Sequence, residues 1–251
     1  MNESKFDGMG KIYAQFRPAY PQEFIDYLYF GIGMNENSVI ADVGSGTGIL
    51  TRQLLEKGSK VFAVEPNSDM RMAAEKDLRR FIGFVSVNGS DQNTMLADKS
   101  VDYITAAQAF HWFDRVQFKI ECGRILKPNG KVILVWNRRD ETNELVRDND
   151  AVNKKYCPNF KGASGGMRGA ESEDDFKDFF AGDYETRIFR NDLNYDEQNF
   201  IGRNLSGSYA LKESDGNYLD YVAELKSLFD KYSANGYLAM PNVTRSYAGR
   251  M

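Results

Sequence analysis

Apolar residues along this chain follow two alternating rhythms. Compact apolar runs at 39–41, 61–64, 84–87, 101–106 and 131–136 have the length and β-branched content of buried strands. Between them, apolar residues recur at helical spacing: Phe24, Ile25, Leu28 and Tyr29, then Ile49, Leu50, Leu54 and Leu55. The same spacing returns at Met72, Ala73, Ala74 and Leu78, and at Phe118, Ile120, Cys122, Ile125 and Leu126. Gly31 and Gly33 close the first helix, Gly58 stops the second, and Asn67 or Ser68 caps the third. Lys127, Pro128, Asn129 and Gly130 form a turn before the fifth strand. Five strands alternating with helices predict a parallel sheet of the α/β class.

The rhythm breaks at residues 140–183. This segment is charged, carries Gly162, Gly165, Gly166 and Gly169, and shows only short helical patterns such as Phe176, Phe179 and Phe180. No strand leads into the glycine cluster, so it reads as a loop rather than a phosphate cradle. An insertion at this point is expected over the carboxyl face of the sheet. Alternation resumes with a strand over 184–190, a helix over 196–204 and an amphipathic helix over 221–232 through Val222, Leu225, Leu228 and Phe229. A last strand holds Val243, Ser246 and Tyr247. The expectation is one domain over 1–251: an N-terminal lid segment 1–36, a core 37–137, the insertion 138–183 and C-terminal strands and helices 184–251.

The densest chemistry lies at 42–65. Asp42 ends the first strand, and Gly44, Ser45, Gly46, Thr47 and Gly48 turn the chain into a helix. Glycine is needed where backbone must approach a ligand so closely that a Cβ would intrude. Glu65 stands at the end of the second strand, where a carboxylate can take both hydroxyls of a ribose. The spacing is G-x-G-x-G, not the G-x-G-x-x-G of a dinucleotide site, and Asp42 suits a ligand with a cationic end. A second cluster, Ala107, Gln108, His111, Trp112 and Phe113, leaves the carboxyl end of the fourth strand, beside the glycine turn. His111 is the only histidine and a candidate base, although a lone histidine is more often structural. Met70, just past Glu65, can pack on a nucleobase. Tyr13 and Arg17 lie four apart, on one face of any helix there, with Arg17 placed to meet a carboxylate.

The totals narrow the class. At 251 residues with 42% hydrophobic content the chain can bury a sizeable core, and no apolar run approaches a membrane span. The N-terminus is polar, without a signal-peptide pattern. A net charge of −4 gives no electrostatic reason to expect nucleic acid. Cys122 and Cys157 are too few and too far apart for a disulfide framework or a metal site, so no metal is expected and a reducing cytoplasm is the simplest location.

These motifs together resemble class I S-adenosylmethionine (AdoMet) methyltransferases of the type 11 family, within them the trans-aconitate methyltransferase-like group. The marks are Tyr-x-x-x-Arg-Pro-x-Tyr-Pro from Tyr13, Asp-Val-Gly-Ser-Gly-Thr-Gly from Asp42, Glu65-Pro66, and Gln-Ala-Phe-His-Trp-Phe-Asp from Gln108. To these are added Leu-Lys-Pro-x-Gly-Lys from Leu126, Val-Trp-Asn-Arg-Arg-Asp from Val135, Ser-x-Ser-Tyr from Ser206 and Met240-Pro241. The resemblance implies a Rossmann-like, seven-stranded, mostly parallel sheet with its last strand antiparallel and helices on both faces. It implies AdoMet as cofactor, met by Tyr13, Arg17, Asp42, Gly44, Ser45, Gly46, Gly48, Glu65, Pro66, Met70, Ala107, Gln108 and Trp112. Ser90, Asp91 and Gln92 stand where the family reads the adenine amino group, but many relatives have Asp at the first place and Glu at the third. Which of the three reads adenine stays open.

The expected activity is methyl transfer to a small molecule, with a carboxylate acceptor needing no base. For a hydroxyl or amine acceptor, His111 or Tyr209 becomes the candidate proton acceptor. Competing readings are a nucleotide-dependent oxidoreductase and an AdoMet-binding protein without turnover. The first lacks the third glycine position and a Tyr-x-x-x-Lys pair, Tyr209 and Lys212 being one residue too close. No membrane partner is expected, and the chain is expected as a monomer or homodimer.

Overall fold

The computed structural model describes residues 18–162, 173–180, 183–207 and 209–251. Tyr13 and Arg17, and the glycines at 165, 166 and 169, lie outside these. Packing divides the chain into two compact units: Met1–Trp136 with Glu171–Phe189 and Thr244–Met251, and Asn137–Ala170 with Arg190–Val243. No helix among the described residues is long and apolar enough to cross a membrane, and no group of three metal-ligating side chains occurs among them.

The first unit opens with α1 (Gln22–Asp26), which widens into a π-helical turn over Tyr27–Ile32 and stops at Gly33, φ +99°. Then come β1 (Val39–Val43), α2 (Ile49–Glu56), β2 (Lys60–Val64), α3 (Ser68–Leu78), β3 (Phe84–Val87) and β4 (Val101–Ala107). The carboxamide oxygen of Asn67 accepts from the Met70 amide at 3.0 Å, so Asn67 caps α3. A 3-10 turn at Phe110–Trp112 leads to α4 (Arg115–Ile125), capped by Asp114, and to the long strand β5 (Leu126–Arg139).

Beyond β5 the chain forms α5 (Glu144–Tyr156), α6 (Glu173–Phe179), β6 (Tyr184–Arg190), β7 (Leu193–Tyr195), α7 (Glu197–Leu205), α8 (Tyr218–Tyr232), β8 (Leu238–Met240) and β9 (Asn242–Gly249). Seven strands make one sheet in the order β3-β2-β1-β4-β5-β9-β6. The pairs from β3 across to β5 are parallel. Backbone bonds from Asp140 N to Pro241 O and from Asn191 N to Asn242 O put the start of β9 at the carboxyl ends of β5 and β6. The last strand is therefore the antiparallel one, as the resemblance implied.

Alternate side chains of each strand sort to opposite faces. Val132, Leu134 and Trp136 join Phe118 and Cys122 of α4 and Phe176 and Phe179 of α6 on one face. Ile133 and Val135 join Phe24 of α1, Leu50 and Leu54 of α2 and Leu78 of α3 on the other.

Two expectations are corrected. Strands and helices do not alternate throughout, because residues 88–100 between β3 and β4 contain no helix. Side chains anchor this stretch instead: Thr94 donates from its amide and hydroxyl to Glu121, and Arg124 donates to Leu96 O. The turn at Lys127 to Gly130 does not precede β5 but bulges out of it, since Leu126 pairs with Val101 and Lys131 with Tyr103.

The second unit packs α5, α7 and α8 around Leu145, Val146, Phe200, Tyr221, Leu225 and Phe229, next to an antiparallel β7–β8 ribbon. Its helices are also tied by buried amides: Asn149 and Asn153 both donate to Asn204, and Tyr221 donates to Asn153 at 2.6 Å.

Candidate functional site

The turn from β1 to α2 is folded back on β2, with the amides of Gly44 and Ser45 both donating to Val64 O at 2.9 and 3.1 Å. Its glycines are required for two different reasons. At Gly44, φ +69°, an added Cβ would lie 2.7 Å from the Ala109 Cβ and 3.1 Å from the Phe113 ring, so the 109–113 segment can only approach if no side chain stands there. At Gly46, φ +57°, an added Cβ would meet no protein atom within 4 Å. The space over Gly46 is open, which is what a ligand laid on bare backbone needs.

Glu65, at the end of β2, holds that arrangement. Its Oε2 accepts from Gly46 N at 2.9 Å and its Oε1 from Asn67 N at 2.8 Å. A carboxylate has roughly four acceptor positions. Each oxygen therefore keeps capacity for one more donor, the pattern that adjacent hydroxyls select. Burial raises the Glu65 pKa, and the two amides oppose the rise. The Arg71 guanidinium donates to Glu65 O, Pro66 O and the Asn88 side chain, joining the loops after β2 and β3.

Asp42 is 1% exposed, and its two oxygens are taken by Thr51 Oγ1 at 2.6 Å and Thr105 Oγ1 at 2.8 Å. The three residues tie β1 to α2 and β4. Burial pushes the Asp42 pKa up to about 6 against the pull of both hydroxyls. At that depth Asp42 works by fixing the strand end below the glycine turn, a role its spacing alone did not reveal.

Of the three candidate base readers, Ser90 is half-buried in a turn with Asn93, and Gln92 is exposed. Asp91 is 1% exposed. Its Oδ2 accepts from Asp114 N at 3.0 Å, while its buried Oδ1 has no donor. Desolvation raises its pKa. Asp114 follows Phe113, whose ring lies against Gly44, so Asp91 belongs to the same neighbourhood. The buried Ser45 hydroxyl also lacks a partner. Met70 is buried in the first turn of α3, beyond Glu65 and Pro66.

Ala107 ends β4, and Gln108 follows at φ +57° with its amide bonded to Val135 O. His111 and the half-buried Trp112 sit in the 3-10 turn, their rings 5.0 Å apart. The Trp136 indole donates to His111 Nδ1 at 3.1 Å. An indole can only donate, so Nδ1 accepts and the neutral imidazole carries its proton on Nε2. In that form the ring can donate to a ligand, while its one basic lone pair, on Nδ1, is engaged by the indole. Tyr209 lies in the second unit, edge-on to Phe160, and burial raises its pKa, so its phenol stays protonated. Sequence reasoning passed over Thr51, Thr105 and Arg71. A polar residue amid an apolar helix stripe (Thr51) or within an apolar strand run (Thr105) was the available signal.

Residues 41–134 match a family model described as a methyltransferase domain. That stretch contains the glycine turn, Glu65, Asp91 and His111. An uncharacterised methyltransferase of Mycobacterium tuberculosis is 38% identical over 136 residues, 54% of this chain and 53% of the relative. One of Schizosaccharomyces pombe is 35% identical over 131 residues, 52% and 51% respectively. The chain thus spans about half the length of the curated relatives it matches. Among solved structures, a provisionally assigned type II methyltransferase of Anaeromyxobacter dehalogenans superposes with a TM-score of 0.63 at 20% identity, covering 94% of this chain and 98% of that one. The fold is the Rossmann-like methyltransferase fold, and the matches to methyltransferases do not single out the trans-aconitate methyltransferase-like group.

Proposed function

We propose that the protein transfers a methyl group from AdoMet to a small organic acid, giving a methyl ester. The observation that carries the cofactor half is Glu65, pinned by the Gly46 and Asn67 amides with acceptor capacity left for the two ribose hydroxyls. Three further features fit the same group. The space over Gly46 is open, the Asp91 Oδ1 lacks the donor that an adenine amino group would supply, and Met70 stands beside Glu65 and Pro66. Ala107, Gln108 and Trp112 form the facing wall on this reading.

When bound, AdoMet supplies a methyl group already made electrophilic by a sulfonium. The chain's own task is then to hold an acceptor oxygen in line at roughly 3 Å and keep water out. The acid is favoured as acceptor because both candidate bases are poorly placed for that work: His111 Nδ1 is occupied by Trp136, and Tyr209 holds its proton. A carboxylate arrives ionised and needs neither.

Calorimetric titration with AdoMet and with NAD tests the cofactor, and only AdoMet is expected to bind. Incubation with methyl-labelled AdoMet and cell extract tests the product. Label released by mild base marks an ester, whereas base-stable label refutes the acid acceptor.

A further inference from the structure

The second unit contains a cationic cluster that the cofactor cradle does not use. Arg139, the last residue of β5, has a side chain only 13% exposed, and its buried Nη1 makes no hydrogen bond. The nearest carboxylate oxygen, Asp150 Oδ1, stands 3.9 Å away, beyond hydrogen-bond range. Arg203 of α7 is close enough to repel Arg139, and it donates to a neutral partner, the Ser206 hydroxyl at 3.3 Å. Tyr209 feels both guanidiniums, each pulling its pKa down against burial. Among the described residues this places two guanidiniums and one carboxylate together, an excess of one positive charge in a desolvated place.

A buried guanidinium is normally paired and hydrogen-bonded, because leaving its donors unmade is costly. Arg139 instead leaves its buried Nη1 without a hydrogen bond and only loosely paired with Asp150, and a planar carboxylate accepts a guanidinium fork through two parallel bonds. Phosphate also accepts it, but a dianion would overshoot the single excess charge. The Tyr209 phenol, held protonated, is a neutral donor suited to the same anion.

We propose that Arg139, Arg203 and Tyr209 form a binding site for one carboxylate group of a small organic acid. The inference leans on the methyl-transfer reading only for calling that acid the acceptor, since the site is built entirely within the second unit. Titration of the full chain without AdoMet tests it, using straight-chain mono- and dicarboxylic acids of two to eight carbons, their primary amides, and inorganic phosphate. At least one acid is expected to bind tenfold or more tightly than its amide and than phosphate, and Arg139→Met to weaken it tenfold or more. Arg203→Gln and Tyr209→Phe are measured in the same way, so a misfolded Arg139 variant does not leave the question open. No acid binding, phosphate preference, or unchanged affinity in the folded variants overturns the proposal. Glu65→Ala run alongside keeps the two readings apart, because it is expected to weaken AdoMet binding while binding the acid as wild type does.

Discussion

Asp42 is buried as an ionisable group in a site whose two hydroxyl donors do not fully replace water, and this makes it a reporter for the strand end under the glycine turn. Its pKa rises from an ordinary 3.8 to about 6 in the fold. An acid raised in this way favours folding only while protonated. The benefit is complete below the unfolded value and is lost as pH rises through the folded one. Linkage over that interval makes ionised Asp42 cost about 1 kcal/mol at pH 4.5 and about 3 kcal/mol at pH 7.5. Asn is an uncharged isostere whose oxygen and amide can still meet the Thr51 and Thr105 hydroxyls, each of which both donates and accepts. Asp42→Asn should therefore gain about 2 kcal/mol relative to wild type between pH 4.5 and 7.5. Urea denaturation followed by tryptophan fluorescence suits the measurement, because both tryptophans, Trp112 and Trp136, lie in the first unit with Asp42. AdoMet affinity at pH 7.5 should stay within a few-fold of wild type. A stability difference that is flat or falls with pH refutes the burial argument, and a large loss of affinity would mean that Asp42 meets the ligand directly.

Other outcomes follow from the same geometry. Glu65→Ala removes a charged acceptor and should weaken AdoMet about 10- to 100-fold by calorimetry, in line with about 1.5–3 kcal/mol for hydrogen bonds to a charged group. The two glycines should separate. Gly44→Ala drives a Cβ into Ala109 and Phe113 and should lower stability by about 1–3 kcal/mol, whereas Gly46→Ala should spare most of the stability yet abolish measurable AdoMet binding. His111→Ala at saturating AdoMet should leave the shape of the pH–rate profile unchanged, and loss of a limb near neutral pH would restore His111 as a base.

The sheet and the glycine turn were legible because each rests on a local, repetitive signal: apolar runs that end together, and glycines where a Cβ has no room or would block a ligand. Helix α5 was not. Its thirteen residues carry Leu145, Val146 and Val152 on the buried side, but Asn149, Asp150 and Asn153 fill the rest of that stripe, so polarity conceals an element buried by amide bonding. The missing helix between β3 and β4 escaped for the opposite reason, since Glu121 and Arg124, far along the chain, hold that segment in place of local periodicity. In the site, the type of residue was readable but its engagement was not. Nothing in the sequence says that Thr51 and Thr105 satisfy Asp42, that Trp136 occupies His111, or that Asp91 keeps an oxygen bare.

The position of β9 sets the order in which the sheet can be completed. β6 touches the sheet only through β9, which lies more than fifty residues further along and pairs with β5 on its other side. A nascent chain emerging from the ribosome can assemble β1 to β5 early, but β6 has no strand to zip against until β9 is made, beginning at Asn242. Halting translation just short of that residue should leave residues 184–190 open to protease while the five-strand block is already resistant.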